Sequence, residues 1–468
     1  MVPPATSKSA PLALASETPG YDVRRPLLRS FTAVSAAFRD GSDTPRHFLE
    51  RCLERIEQAE PVVQAFVCFD LERARQASDD ASVRYRGNRA LSPIDGMPLG
   101  LKDIIETRHM PTGMNSPIFD GYRPRRDAAC VIALRKAGAV FLGKTVTTEF
   151  ACGRSGPTRN PYDATRTPGG SSSGSAASVG AGMVPGALGT QTQASVIRPA
   201  SYCGAYALKP SHNLLCYEGT APLTPSMDTL GIFGADLDDV WGITAAIAAV
   251  APGLGGPALR LDATSPAAVA PKRMARLDTV GWREVDDATR ADFERVLGKL
   301  AAAGVEIVDR KTAADVEALE QLLLEVPDVS MRIFAYECQW PLRSYRECGE
   351  GLVGERVLEL LALADSMSPQ DYRDACDKRD ILRQAVTALG AKADGFLTLS
   401  SSGPAIADIA YTGSRHYPVP WSLVAGPSVS LPLMVSSGLP VGLQVMGPYA
   451  SDIAIMGRAR WIRDLLIK

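Results

Sequence analysis

The chain has 468 residues, 46% of them apolar, and its 50 basic and 52 acidic side chains leave a net charge of −2. The apolar share permits a large core, and the length, at about 150 residues per domain, allows up to three domains or one large α/β domain with insertions. The balanced charge offers no basic footprint for nucleic acid or anionic membrane, and the nine scattered cysteines form no C-x-x-C pair. Metal-finger spacing is therefore absent, and free thiols in a reducing cytoplasm are expected.

The start of the chain is rich in Ala, Pro and Ser and lacks the basic and apolar regions of a signal peptide. It reads as a disordered arm over residues 1–25, with the folded domain covering 26–468. No apolar run is long enough to span a membrane. Thr44-Pro45 reads as an N-cap and first helical position, with Leu49, Cys52, Leu53 and Ile56 at helical spacing and Pro61 just past the end. A second helix is expected over Leu71 to Ser82, and a third capped by Asp127 and closed by Gly138. Ala139 to Leu142 suits a buried strand, and such alternation points to α/β layers.

From Thr167 to Gly204 the residues are mostly Gly, Ser and Ala. A flexible linker is one reading. Apolar Val179, Met183 and Val184, leading into a candidate strand at Val184 to Leu188, favour close backbone packing instead. Residues 255–390 hold amphipathic helices, including Ala288 to Ala303 and one opened by Ser368-Pro369, and read as a helical insertion or cap. Strand-like runs return at Gly395 to Leu399, Ser428 to Leu431 and Val441 to Val445, before a final helix from Asp452.

Three motifs compete for the chemistry. Gly138 to Thr145 matches G-x-x-x-x-G-K-[ST], but the residues between the glycines are the apolar run itself, which does not suit a phosphate loop. Gly170-Ser171-Ser172-Ser173-Gly174 matches the G-x-S-x-G elbow, which needs a strand directly before it; Arg166-Thr167-Pro168-Gly169 is a poor strand, and only His212 and His416 follow. That reading stays open. No lysine has a serine three residues before it, which excludes S-x-x-K.

Thr167 to Ala177, followed by Gly189-Thr-Gln-Thr-Gln-Ala-Ser195-Val-Ile-Arg-Pro-Ala200, resembles the amidase signature family. Gly96-Met-Pro-Leu-Gly-Leu-Lys102-Asp-Ile-Ile, Gly143 to Phe150, Pro157 to Pro161, Pro225 to Gly231 and Gly438 to Gly447 are similar to its other blocks, in the same order. The resemblance runs from about residue 30 to the C-terminus and implies an α/β fold: a mixed central sheet with helices on both faces and a helical insertion. It implies Lys102, Ser171 and Ser195 as the catalytic set, with Ser171 in a cis peptide, and the 24-residue spacing of the serines fits.

The chemistry needs these residue types. A serine hydroxyl is a weak nucleophile until a base takes its proton. Burial disfavours a charged lysine and lowers its pKa from about 10.4. Neutral Lys102 would then take a proton from Ser171, and Ser171 one from Ser195. The backbone N–H groups of Thr192, Gln193, Ala194 and Ser195 are expected to form an oxyanion hole. Thr190, Ser172 and Arg198 are expected to hold the relay. A substrate pocket is expected from Met110, Gly113, Asn115, Gly153, Ser155 and Gln193. The sequence departs from the family in having Gln193-Ala194 where a Gly-Gly or Ala-Gly pair is usual, Gln191 for a frequent acid, and Ala207 and Asn213 for glycines. Gln193 is expected either to point into the acyl pocket or to alter the loop.

The resemblance implies a serine amidohydrolase that cleaves small or aryl amides and also carbamates and esters; the free thiols point to the cytoplasm, the absent ligand spacing to no metal, and no cofactor is expected. Ala410 to Trp421 resembles the subgroup of small-amide, aryl-amide and urethane hydrolases. The expected partner is a small-molecule amide or carbamate, with no nucleic acid or membrane, for a monomer or homodimer. The alternatives are a catalytically weakened binding homologue and an amidotransferase-type subunit.

Overall fold

The computed structural model describes residues 20–349 and 351–468. Eleven strands of the described residues form one mixed sheet. They are β1 (Phe66–Phe69), β2 (Pro98–Lys102), β3 (Val140–Thr145), β4 (Gly186–Gln191), β5 (Tyr206–Lys209), β6 (Thr229–Gly234), β7 (Arg273–Arg276), β8 (Glu306–Val308), β9 (Phe396–Leu399), β10 (Ser428–Ser436) and β11 (Leu439–Met446). Their spatial order is β1-β3-β2-β4-β6-β5-β10-β11-β9-β7-β8. Strands β3, β2 and β4 run parallel, as do β9, β7 and β8; antiparallel pairs complete the sheet.

Both faces are buried, and the period of two decides which side chain goes where. Leu99, Leu101, Leu188, Leu208 and Ile232 join a core with the helices Leu237–Val250 and Asp452–Ile467. Their neighbours Ala187, Ala207 and Phe233 face the opposite core, with Val140 and Leu142, against the helices Pro45–Val63 and Ser173–Gly180. The small-residue stretch is a packed element, not a linker. At Gly174 a Cβ would fall 2.1 Å from Ala65 O and 2.4 Å from Val146 N, so only glycine lets this helix lie against the chain there.

Several boundaries differ from expectation. Residues 1–19 of the arm lie outside the described residues. Its last part, 20–25, is ordered by an aromatic anchor: Tyr21 is buried, its hydroxyl donates to Pro432 O at 2.5 Å, and its ring meets Tyr162 edge-on. Thr44 caps the helix Pro45–Val63 as expected, but Pro61 lies inside its last turn. The helix Ala129–Lys136 has no side-chain cap, because Asp127 accepts from Arg108 N and Arg135 Nε instead. Within 255–390, β7 and β8 extend the sheet, so the segment is not all helix; four long helices follow, Ala314–Leu323, Val326–Arg346, Glu355–Asp365 and Pro369–Gly390. Ser368 opens the last of them with a capping box. No helix among the described residues is long and apolar enough to cross a membrane.

Candidate active site

The parallel strands β2, β3 and β4 end side by side, and the chemistry-bearing groups gather beyond their C-terminal ends, the usual place for a site in such sheets. Lys102 is the last residue of β2 and is fully buried. Its Nζ donates to Ser171 Oγ and to Thr190 Oγ1, both at 2.8 Å. Burial holds its pKa down from 10.5 to about 7, and the buried carboxylate Asp228 pulls weakly the other way. A lysine without a direct carboxylate partner in a dry site is an amine that accepts protons near neutral pH.

Ser171 sits in the loop before the helix Ser173–Gly180, and the Gly170–Ser171 peptide is cis. This loop is held on three sides. Ser172 Oγ accepts from Thr190 N and donates to Thr190 O, each at 3.2 Å, locking the loop to β4. Thr148 N donates to Ser171 O at 3.1 Å. Arg198 donates to Gly170 O at 2.6 Å and to Thr412 Oγ1, Gly413 O and Ser414 O. Burial lowers the Arg198 pKa to about 10, so it stays charged at neutral pH while bonding only neutral acceptors. A Cβ on Gly170 would come within 2.7 Å of Thr412 Cγ2, which explains the glycine under this lid of chain.

Ser195 lies on the turn between β4 and the helix Ile197–Cys203 and is partly exposed. Its hydroxyl makes no hydrogen bond to any described residue, Ser171 included. The N–H groups of Gln193, Ala194 and Ser195 likewise donate to no described residue. Free N–H groups beside an open serine are the raw material of an oxyanion hole. Thr192 Oγ1 is committed to Asp228 Oδ1 at 2.6 Å, and Asp228 Oδ2 accepts from Leu223 N and Thr224 N. Burial raises the Asp228 pKa to about 6. Asp228 anchors the loop, yet it was legible only as one residue of the Pro225 to Gly231 block; a lone acid between apolar Met227 and Leu230 was the available signal.

The departures from the family pattern find structural roles. Gln191 Oε1 accepts from Val196 N and Ile197 N, as a carboxylate would, while its Nε2 donates to Ser422 Oγ. Ser422 in turn donates to Gln193 O at 2.9 Å. The Gln193 side chain reaches the helix Val326–Arg346, where its Nε2 donates to Ser330 O at 3.4 Å. Asn213 takes φ +58°, a left-handed conformation that asparagine tolerates. Glu337 of the same long helix accepts from Ser226 N, Ser226 Oγ and Tyr372 OH, two residues from Asp228. Fully buried Glu149 accepts from Gly354 N and from Arg154. The helices over the site are thus tied to it at Gln193, Ser226 and Glu149.

The expected pocket residues separate into groups. Asn115, Gly153 and Ser155 share one rim: Asn115 Nδ2 donates to Arg154 O, Gly153 N to Glu149 O, and Ser155 Oγ to Ala410 O. Gly113 N donates to Asp103 Oδ2, part of a buried ion pair with Lys144 at 2.9 Å. That pairing places Lys144 inside β3 and leaves no phosphate loop there. Met110 is not brought to the rim; it lines a separate cavity of about 50 Å³ with His109 and Phe141. A larger cavity of about 460 Å³ is walled by Met114, Phe119, Tyr122, Tyr217 and Tyr345, with Glu106, Arg126 and Glu218 also lining it. The hydroxyl of Tyr217 interacts with Thr190, so this cavity backs onto the Lys102 cluster.

The profile of the Amidase family matches residues 47–456. The chain belongs to that family. It is 31% identical over 444 residues to a glutamyl-tRNA(Gln) amidotransferase subunit from Acidothermus cellulolyticus, covering 86% of this chain and 87% of that protein. It is 32% identical over 460 residues to the protein of the same name from Chloroflexus aggregans, covering 89% and 92%. Among solved structures, an amidase shares 27% identity at TM-score 0.80 over 94% of this chain and 100% of its own. The native peptide amidase of Stenotrophomonas maltophilia shares 25% at TM-score 0.79, over 93% and 96%. As an amidase-family protein the chain carries the serine amidohydrolase fold and the class of chemistry that acts on C–N bonds.

Proposed function

We propose that the chain is a serine amidohydrolase of small or aryl amides, and by the same route of carbamates and esters. Lys102 carries the reading: a fully buried amine at 2.8 Å from Ser171 Oγ, with a pKa of about 7. In its neutral form the amine accepts the Ser171 proton at that separation. Ser171 takes the Ser195 proton, and Ser195 Oγ bonds to the substrate carbonyl carbon. The free N–H groups of Gln193 to Ser195 stabilise the oxyanion, each such donor contributing about 3–4 kcal/mol in comparable sites. The C–N bond breaks as Ser171 passes a proton to the leaving nitrogen and recovers one from Lys102. Water then cleaves the acyl ester by the same relay. Ser195 and Ser171 make no hydrogen bond in the structure, and catalytic contacts of this kind commonly tighten only with substrate in place. The elbow reading loses support, since Ser172 is buried and spends its hydroxyl on Thr190.

The second reading, an amidotransferase-type subunit, is favoured by the names of the relatives at 31% and 32% identity. Purified chain alone decides between the two. Hydrolysis of p-nitroanilide and carbamate substrates by a monomer or homodimer in size-exclusion chromatography supports the first. Activity that appears only with a partner protein supports the second.

A further inference from the structure

The turn 224–228 carries the acid that anchors the candidate oxyanion loop. It closes on itself: Met227 N and Asp228 N both donate to Thr224 O at 2.8 Å, while Asp228 Oδ2 accepts from Leu223 N at 2.7 Å and from Thr224 N at 2.9 Å. Asp228 Oδ1 reaches out of the turn to take Thr192 Oγ1 at 2.6 Å. Directly after it, Thr229 and Leu230 open β6 and pair with Gln191 and Thr190 at the end of β4. Where this turn sits therefore decides where Thr192 and the N–H groups of Gln193 to Ser195 sit. Its tip, Ser226, is held from outside. Glu337 Oε2 accepts from Ser226 N at 2.9 Å, and Glu337 Oε1 accepts from Ser226 Oγ at 2.6 Å.

Glu337 is itself fixed. Tyr372 OH, on the helix Pro369–Gly390, donates to the same Oε1 at 2.8 Å. Tyr336, beside Glu337, stacks on the Tyr372 ring with the centroids 4.3 Å apart. Earlier on the helix Val326–Arg346, Ser330 O takes the Gln193 side chain at 3.4 Å. The two ties differ in strength. The Gln193 tie is a single long bond between neutral groups. A carboxylate that takes an N–H and an O–H from one residue makes charge-assisted bonds, about twice as strong as neutral ones. One side chain thus joins two of the long helices to the turn that carries the oxyanion anchor.

We propose that Glu337 is a positioning residue for the oxyanion hole: through Ser226 it fixes the turn 224–228, and through Asp228 the turn fixes Thr192 and the N–H groups that follow. This rests on the amide-hydrolase reading of Ser195. The test measures kcat and KM on a p-nitroanilide, together with the affinity for phenylboronic acid, whose tetrahedral adduct with Ser195 presents an oxygen to those N–H groups. In Glu337→Ala, kcat should fall about ten- to a hundredfold, the scale of a small misplacement of catalytic groups. The boronic acid should weaken in parallel, and KM should stay within about threefold, since the lost interaction belongs to the transition state. Glu337→Gln should retain most of the turnover. Its carbonyl still accepts from Ser226 N, and its NH2 donates to the two hydroxyls, which reverse their roles. Adding Asp228→Asn to Glu337→Ala should cost less than the product of the two single losses, because both act through one turn. Should Glu337→Ala not fold, Glu337→Asp draws the carboxylate back and should give the same split between kcat and KM. A tie that served the fold alone would lower the melting temperature and leave kcat of the folded variant unchanged. That result, a change in KM alone, or single losses that multiply in the double variant would overturn the proposal and leave the amide-hydrolase reading standing. No amide hydrolysis by the unaltered chain would overturn that reading, and this proposal with it.

Discussion

The buried amine of Lys102 makes a quantitative claim about pH. An ordinary lysine is neutral in roughly 1 molecule in 3,000 at pH 7. Burial brings Lys102 down from 10.5 to about 7, where about half of the molecules hold the free amine. The base is thereby available about a thousandfold more often. If that amine accepts the Ser171 proton, kcat/KM should rise about tenfold per pH unit below pH 6 and level off above about pH 8. The same shift makes stability rise with pH between about 7 and 10.5, because the unfolded chain still binds a proton that the folded amine has released. Lys102→Arg should lose about 10³-fold or more in kcat/KM, since arginine stays protonated in proteins. The assay is a pH–rate profile with a p-nitroanilide, run alongside circular dichroism to confirm the fold. A flat profile from pH 5 to 9, a limb centred near pH 10, or near-normal turnover in Lys102→Arg would refute the reasoning.

Asp228→Asn keeps an acceptor for Thr192 but places an amide where Leu223 N and Thr224 N need one. Turnover should fall about tenfold or more, and the Lys102 limb should move to lower pH, because the carboxylate raises that pKa; an unchanged kcat would contradict this. Gln193→Gly removes only the side-chain bond to Ser330 O, so turnover should change by less than about tenfold. A loss above a hundredfold would mean that the Gln193 side chain itself takes part in turnover. Glu149→Ala should lower stability by about 1–3 kcal/mol and speed hydrogen exchange in the helix Glu355–Asp365, whose preceding Gly354 N it holds; unchanged exchange would show that the contact does not secure that helix.

Much of this arrangement was legible in the sequence because the signals were local. Thr44-Pro45 and Ser368-Pro369 start helices through caps that need only neighbouring residues. Lys102 stood out as a charge inside an apolar strand, and the two serines by their spacing in a stretch of small residues. What escaped depends on long-range pairing. Strands β7 and β8 are short and partly exposed, and only the parallel pairing of β7 with β9 and of β8 with β7 makes them strands. Asp127 carries the pattern of a cap, but arginines at 108 and 135 claim it in three dimensions. Met110 and Asn115 are five positions apart, yet Met110 lines a small separate cavity while Asn115 bonds Arg154 O, with the loop between them folded by the Lys144–Asp103 pair and the bond from Lys144 Nζ to Pro111 O. The links of Gln193 to Ser330 and of Glu149 to Gly354 join segments more than 130 residues apart, which no local pattern encodes.

The claim on which the account rests is that Ser195 is the nucleophile. Labelling with a fluorophosphonate, followed by intact mass and peptide mapping, tests it most directly. A single adduct at Ser195, absent from Ser195→Ala and slowed in Lys102→Ala, is the predicted result. An adduct on Ser171 or Ser172, or labelling undiminished in Ser195→Ala, would contradict it.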